Sequence, residues 1–255
     1  MRYFLDISFN GKNYHGWQTQ PNATSVQETV TKALATITRA KINLVGAGRT
    51  DAGVHALQLF AHFDSAEKLN EKEIQQKLNA FLPDDIVINS LFLVADNLHA
   101  RFDAMSRSYE YRIWLGRNPF LLDTTWQIYH RQLDINKMNE AAAVLLKYTN
   151  FRCFSKSKTD VKTYNCTITE ATWVLEGSSL TFYITANRFL RNMVRAIVGT
   201  LLDVGLGKTT TKDVIAIIES EDRSKAGTSV PPQGLFLSRV VYGDKTVKNE
   251  SVRFK

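Results

Sequence analysis

Only two cysteines, Cys153 and Cys166, stand in a chain of 255 residues. That is too few for a disulfide framework, and no C-x-x-C pair or Cys/His cluster is present to hold zinc, so packing is the role expected of both. No apolar run approaches the ~18 residues of a membrane-spanning helix. The start, Met1-Arg2-Tyr3-Phe4, lacks the uninterrupted apolar stretch of a secretory signal. A cytoplasmic location is the expectation. No low-complexity linker interrupts the chain. His55, His62, His99 and His130 show no H-E-x-x-H or comparable metal spacing, and no serine sits in G-x-S-x-G. Gly205-Leu206-Gly207-Lys208-Thr209-Thr210 ends like a P-loop. Leu202, however, stands where the leading glycine belongs, and a helical pattern rather than a strand precedes it, which excludes triphosphate binding by that motif.

Hydrophobic residues make up 44% and charged residues 22%, a globular balance far from that of disordered chains. Thirty-two Lys and Arg against 25 Asp and Glu give a formal charge of +7. Such an excess favours a polyanionic partner, because neutralised phosphates release counterions, but many basic proteins bind no polyanion.

Tyr3, Leu5, Ile7 and Phe9 alternate with Phe4, Asp6 and Ser8, predicting a strand with one strongly apolar face. Ser25 with Glu28 three residues on reads as a capping box, and Val26, Val30, Ala33, Leu34 and Ile37 follow at helical spacing. A short strand is expected over 42–47, another through Leu59, Ala61 and Phe63, a helix over 71–81 capped by Asn70, and a strand through Ile86, Ile88 and Leu91. The second half repeats the theme: a strand over 109–115, a helix from Asp134 through Leu145, strands over 167–175 and 180–186, helices over 188–204 and 211–218, and a last strand over 235–242. Mixed elements with hairpin-length connections predict an α+β fold of two related halves sharing a mainly antiparallel sheet flanked by helices. The halves are expected at 1–105 and 106–243, with a polar tail over 244–255.

Three segments carry chemistry. In Gly48-Arg49-Thr50-Asp51-Ala52-Gly53-Val54-His55-Ala56 the glycines permit positive φ or close approach of a ligand, and Asp51 is a candidate nucleophile beside Arg49, which can keep a carboxylate ionised. A plain tight turn with Asp51 capping amides is the competing explanation. In Ser106-Arg107-Ser108-Tyr109-Glu110-Tyr111-Arg112 the tyrosines either fill a sheet face or stack on an extruded base. Over 187–199, Arg188, Arg191 and Arg195 fall within a ~60° arc if the segment is helical, opposite Phe189, Leu190, Met193, Val194 and Ile197. Three arginines without an interleaved acid suit phosphate or carboxylate pairing.

Together, in this order and spacing, these segments resemble the tRNA pseudouridine synthase A family, and the likeness extends over nearly all of residues 1–243. Supporting pieces are Tyr14-His15-Gly16-Trp17-Gln18 with Gln20-Pro21, His99-Ala100-Arg101-Phe102, Tyr109-Glu110-Tyr111, Phe189-Leu190-Arg191-Asn192-Met193-Val194-Arg195 and Gly234-Leu235-Phe236-Leu237. The resemblance implies that Asp51 is the catalytic aspartate, Arg49 its neighbouring arginine, Tyr109 the tyrosine at the target uracil and Arg195 the basic partner of the aspartate. Arg191, with Arg188 and His55, is a further expected substrate contact. It implies a homodimer without cofactor or metal that isomerises uridines 38, 39 and 40 of the tRNA anticodon stem-loop. The chain departs from the family pattern between Asn150 and Thr167, where Asn150-Phe151-Arg152-Cys153-Phe154 and Cys166 stand.

Two other functions compete. A non-catalytic RNA-binding module of two RRM-like halves would explain charge and aromatic strands, but the RNP1 pattern is missing and Asp51 is left without a task. A glycosidic hydrolase using Asp51 would call for a second carboxylate or a metal nearby, and these segments supply neither.

Overall fold

Apolar alternation and well-marked helix starts organise the computed structural model, which describes residues 1–129, 131–156 and 161–243. His130 and the expected polar tail lie outside the described residues. Chain contacts divide the protein into two compact units, Met1–Ser106 with the stretch that begins at Leu237, and Arg107–Phe236.

The first unit runs β1 (Arg2–Phe9), α1 (Val26–Thr38), β2 (Val45–Gly46), β3 (His55–Asp64), α2 (Glu71–Phe81) and β4 (Ile86–Val94). β1 lies between β3 and β4 and is antiparallel to both, with Leu5 opposite Ala61 on one side and Leu91 on the other. The side chain of Ser25 accepts the Glu28 N–H at 3.3 Å and starts α1, and that of Asn70 does the same for Glu73 at the head of α2. Each such cap satisfies an amide that the helix itself leaves unpaired. Behind the caps, Val26, Val30, Ala33 and Leu34 of α1, and Ile74 and Leu78 of α2, are buried.

Two expectations change in this unit. β1 buries one residue of its second face as well: Phe4 is fully buried and packs its ring among Phe60, Phe92 and Tyr242 with centroids 5.5–6.2 Å apart, while Asp6 and Ser8 on that face stay half-buried. β2 covers only two of the six residues expected, because the Leu44 carbonyl accepts from Gln27 Nε2 at 2.7 Å instead of from a neighbouring strand.

The second unit begins within β5 (Ala104–Leu115) and continues through β6 (Trp126–Ile128), α3 (Ile135–Val144), β7 (Ile168–Glu176), β8 (Ser179–Ala186), α4 (Met193–Gly205) and α5 (Thr211–Ser220). β5, β8 and β7 form an antiparallel run with Tyr111 opposite Phe182 and Trp173 opposite the same phenylalanine from the far side. β6 pairs parallel to β5, and three residues are too short for an alternation to reveal it. β9 (Leu235–Tyr242) passes from this unit into the first, where its neighbour is β3. The fold class is α+β with a mainly antiparallel sheet flanked by helices.

The P-loop-like stretch is the α4–α5 connection. Its Lys208 and Thr209 amides donate to the Asp203 carbonyl at 2.9 and 3.3 Å, and Thr210 with Asp213 forms the reciprocal capping box of α5. Cys153 and Cys166 are buried, and burial pushes their thiols up to about 12 and about 11, as inert packing residues should be.

His62 on β3 is 4% exposed and accepts the Ala100 N–H at Nδ1. Burial first, then the charges of Arg2 and His99, hold its pKa down at about 4, with Asp64 opposing. In the unfolded chain a histidine titrates near ~6.5. The unfolded state therefore takes up a proton that folded His62 refuses, and stability falls as pH drops from about 6.5 to about 4. Thermal melts across that window are expected to show a falling Tm, and His62→Asn, which keeps an acceptor near the Nδ1 position, is expected to make the slope shallower.

Candidate active site

The segment from Gly48 to Val54 links β2 to β3 and is pressed against the loop that follows β1. Gly53 N–H donates to the Tyr14 carbonyl at 3.2 Å, and Trp17 N–H donates to Thr50 Oγ1 at 3.1 Å. Gly16 has φ +89° and lies under this segment so closely that a Cβ there would sit 2.2 Å from the Thr50 carbonyl oxygen. Gly11 approaches Val54 in the same way, and a Cβ there would sit 2.0 Å from the Val54 carbonyl oxygen. The first loop is itself anchored, since Val26 N–H donates to the Gly16 carbonyl and Gln27 N–H to the Trp17 carbonyl at the start of α1.

Asp51 sits on this support, half-buried, and its carbonyl accepts the Val54 N–H at 3.2 Å across a turn whose third residue, Gly53, has φ +76°. Glycine is required there because an L side chain disfavours that conformation. Arg49 is exposed and donates from Nε to Gln18 Oε1 at 3.2 Å, and Gln18 in turn donates to Gln27 Oε1 at 2.8 Å. His55 is 1% exposed and its Nδ1 accepts the Gly11 N–H at 3.0 Å, so it anchors the loop pair from inside the unit. Arg49 and Asp51 thus lie on one pinned loop, exposed and half-buried respectively, and His55, the first residue of β3, is buried behind it.

The second unit gathers the remaining candidates at the end of β8. Tyr109 on β5 is half-buried and meets Phe189 edge-on, with centroids 5.1 Å apart at 88°. Tyr111, two residues along the same face, is fully buried and donates to the Pro231 carbonyl, so of the two tyrosines it is the core residue.

The expected helix over 188–204 is corrected. α4 starts at Met193, and Arg188 and Arg191 lie in the connection before it, leaving Arg195 as the one arginine of the three on the helix. The connection is held open by specific bonds. Asn187 exchanges hydrogen bonds with Thr167 through its backbone N–H and its Oδ1, at 3.1 and 2.8 Å. Arg107 reaches its carbonyl at 2.9 Å. Asn192 takes φ +65° and donates to Ser229 Oγ at 2.6 Å. Arg195 is half-buried and donates from Nε to the Val230 carbonyl at 2.7 Å, while the Val230 N–H returns a bond to the Arg195 carbonyl at 3.2 Å. Arg188 and Arg191 are carried by a shaped connection and Arg195 by the first turn of α4, so the three do not form a helical stripe. The departing segment after Asn150 adjoins it, since Lys156 N–H donates to the Arg191 carbonyl at 3.0 Å.

Among the described residues no group of three or more His, Cys, Asp or Glu side chains is arranged to hold a metal ion, and no helix is long and apolar enough to cross a membrane.

Comparison with known proteins decides which family uses such a loop. The family model described as tRNA pseudouridine synthase matches residues 7–103 and 141–243. The chain belongs to the tRNA pseudouridine synthase family. The proteins named tRNA pseudouridine synthase A of Porphyromonas gingivalis and Bacteroides thetaiotaomicron are respectively 51% identical over 245 residues and 48% identical over 253 residues. The first alignment covers 94% of this chain and 97% of that protein, the second 98% and 94%. A more distant relative of the same name, from Thermoanaerobacter sp. strain X514, is 41% identical over 239 residues, covering 92% of this chain and 97% of that protein. The matched residues include the Asp51 loop and the Arg195 connection.

Family members are isomerases that convert uridine to pseudouridine in tRNA. Sequence reading of this synthase missed the parts that position its candidates: Thr50 as the bond to Trp17, Phe189 as the ring against Tyr109, and Val230 as the anchor of Arg195. Phe189 had a local signal, an aromatic between arginines. The other two act through contacts between segments far apart in sequence, which no period records.

Proposed function

We propose that this chain isomerises uridine to pseudouridine in tRNA, with Asp51 as the nucleophile and no cofactor, at uridines 38, 39 and 40 of the anticodon stem-loop. Family membership over both matched stretches carries this reading. The reaction breaks the C–N glycosidic bond, turns the uracil and joins its C5 to the same sugar carbon, so no electrons and no donor group enter or leave. A carboxylate serves it by attacking the sugar or the base, or by assisting a glycal-like intermediate, and Asp51 acts as an anion in each. Arg49 and Arg195 supply positive charge for the aspartate and the RNA, Tyr109 packs on the extruded uracil, and Arg188 and Arg191 serve the substrate side, while His55, expected there from the sequence, is buried against Gly11 and supports the loop from within. A cytoplasmic homodimer is part of the same proposal, and sedimentation of the purified chain tests the dimer.

The deciding experiment is carbodiimide-dependent primer-extension mapping of tRNA treated with the purified protein. Stops at positions 38 to 40 are the expected result, and their absence with a folded protein defeats the proposal. Release of free uracil would mark a hydrolase instead.

Binding supplies a second expectation. The net charge of +7 and the displayed arginines should release counterions on meeting phosphate, so tRNA affinity is expected to fall about tenfold or more between about 50 and about 200 mM salt. Fluorescence anisotropy with labelled tRNA measures it, and a flat salt profile would count against phosphate-dominated binding.

A further inference from the structure

His99-Ala100-Arg101-Phe102 has no part in the chemistry above, yet the first unit commits several buried side chains to holding it. The Leu98 carbonyl accepts from Arg2 Nη1 at 2.9 Å. Ala100 N–H donates to His62 Nδ1 at 3.1 Å, and the Ala100 carbonyl accepts from Tyr242 Oη at 2.5 Å. The N–H groups of Arg101 and Phe102 both point at His99 Nδ1, at 3.1 and 3.3 Å, and His99 N–H donates to Asp103 Oδ2 at 2.6 Å. A turn whose main-chain groups are satisfied from three strands has little freedom left.

What this fixed turn presents is an aromatic ring. Phe102 is 75% exposed, with the imidazole of His99 4.3 Å from its centroid and the guanidinium carbon of Arg101 at 5.7 Å. An exposed phenylalanine adds nothing to the core, and burial of its neighbours does not require it. A rigidly displayed ring beside a guanidinium is the arrangement on which unpaired bases stack, the ring supplying a face and the arginine a cation for base or phosphate.

We infer that Phe102, with Arg101 beside it, is a stacking site for an unpaired nucleotide of the RNA substrate. This rests on the tRNA reading above and adds a contact remote in sequence from Asp51. The occupant is RNA rather than a second protein surface because the cation next to the ring matches a phosphate-bearing partner, and the one acid of the turn, Asp103, is engaged by the His99 amide.

The test is tRNA affinity and saturating turnover of the full chain carrying Phe102→Ala, Phe102→Leu or Phe102→Tyr. Loss of one base stack is expected to weaken affinity about ten- to hundredfold in both the Ala and Leu variants. Tyr should stay within about twofold of wild type. Saturating turnover, Tm and the salt slope should stay unchanged in all three, since a stack releases no counterion. Leu performing as well as Phe would overturn the proposal by showing a merely apolar contact, and so would unchanged affinity in Phe102→Ala. A shift in sedimentation of Phe102→Ala would overturn it in favour of a protein interface. Failure of the wild-type chain to bind tRNA would instead sink the functional reading on which the site depends, so the two failures are distinguishable.

Discussion

Asp51→Asn is expected to abolish pseudouridine formation and to leave tRNA binding intact. The two side chains are nearly the same size, and the turn that carries the residue is closed by its main chain, the Asp51 carbonyl accepting from Val54 N–H with Gly53 in the left-handed region. Asparagine keeps that main chain and turn-forming tendency while removing the negative charge and the nucleophilic oxygen. A residue that merely shapes a turn therefore predicts near-normal turnover, and a nucleophile predicts a loss of several orders of magnitude. Affinity should hold, since phosphate contacts from arginines dominate it and a single carboxylate contributes little. Primer-extension counting of pseudouridine and anisotropy on the same preparation separate the outcomes, with a melt to confirm folding. Substantial residual turnover in a folded variant would remove Asp51 from the mechanism.

Local signals in the chain reached far into this fold. Ser25, Asn70 and Asp134 cap α1, α2 and α3 because a short oxygen-bearing side chain before an apolar period satisfies a helix amide whatever the surroundings. The last strand over 235–242 was equally legible from its apolar residues. The errors arose where a distant segment overrode a local pattern. Arg188, Leu190, Arg191, Val194 and Arg195 fit a helical period, but Asn187 bonds to Thr167 and Asn192 turns left-handed onto Ser229, so the helix cannot begin until Met193. Phe4 stands at an alternate position of β1 that reads as the weaker face, and only the arrival of Phe60, Phe92 and Tyr242 makes it core. For the candidate site, composition marked the Asp51 loop as charged and glycine-bearing. What it could not disclose was that Gly16, 35 positions before Asp51, is the floor of that loop.

That floor makes Gly16→Ala the second variant with a large expected effect. Its φ of +89° already disfavours any L side chain, and the added Cβ would stand 2.2 Å from the Thr50 carbonyl oxygen and 3.1 Å from the Asp51 carbonyl carbon. Neither neighbour is the yielding end of a side chain. The Gly16 side of the contact cannot retreat freely, since its carbonyl accepts the Val26 N–H at the head of α1 and the adjacent Trp17 is 1% exposed. The strain is relieved by lifting the Asp51 loop, which breaks the Trp17–Thr50 and Gly53–Tyr14 bonds that aim it. A displacement of about 1 Å at a reacting group is enough to cost about a hundredfold in rate, so turnover should fall at least that far at saturating tRNA. Melting temperature should also drop, because a strained glycine position is destabilised by alanine beyond its entropic gain. Gly48→Ala provides the contrast within the same loop: a Cβ there meets nothing within 4 Å, and its melt should match wild type. Equal melting of the two variants, with full turnover in Gly16→Ala, would show that the loop is not held from below and that the aspartate takes its position from elsewhere.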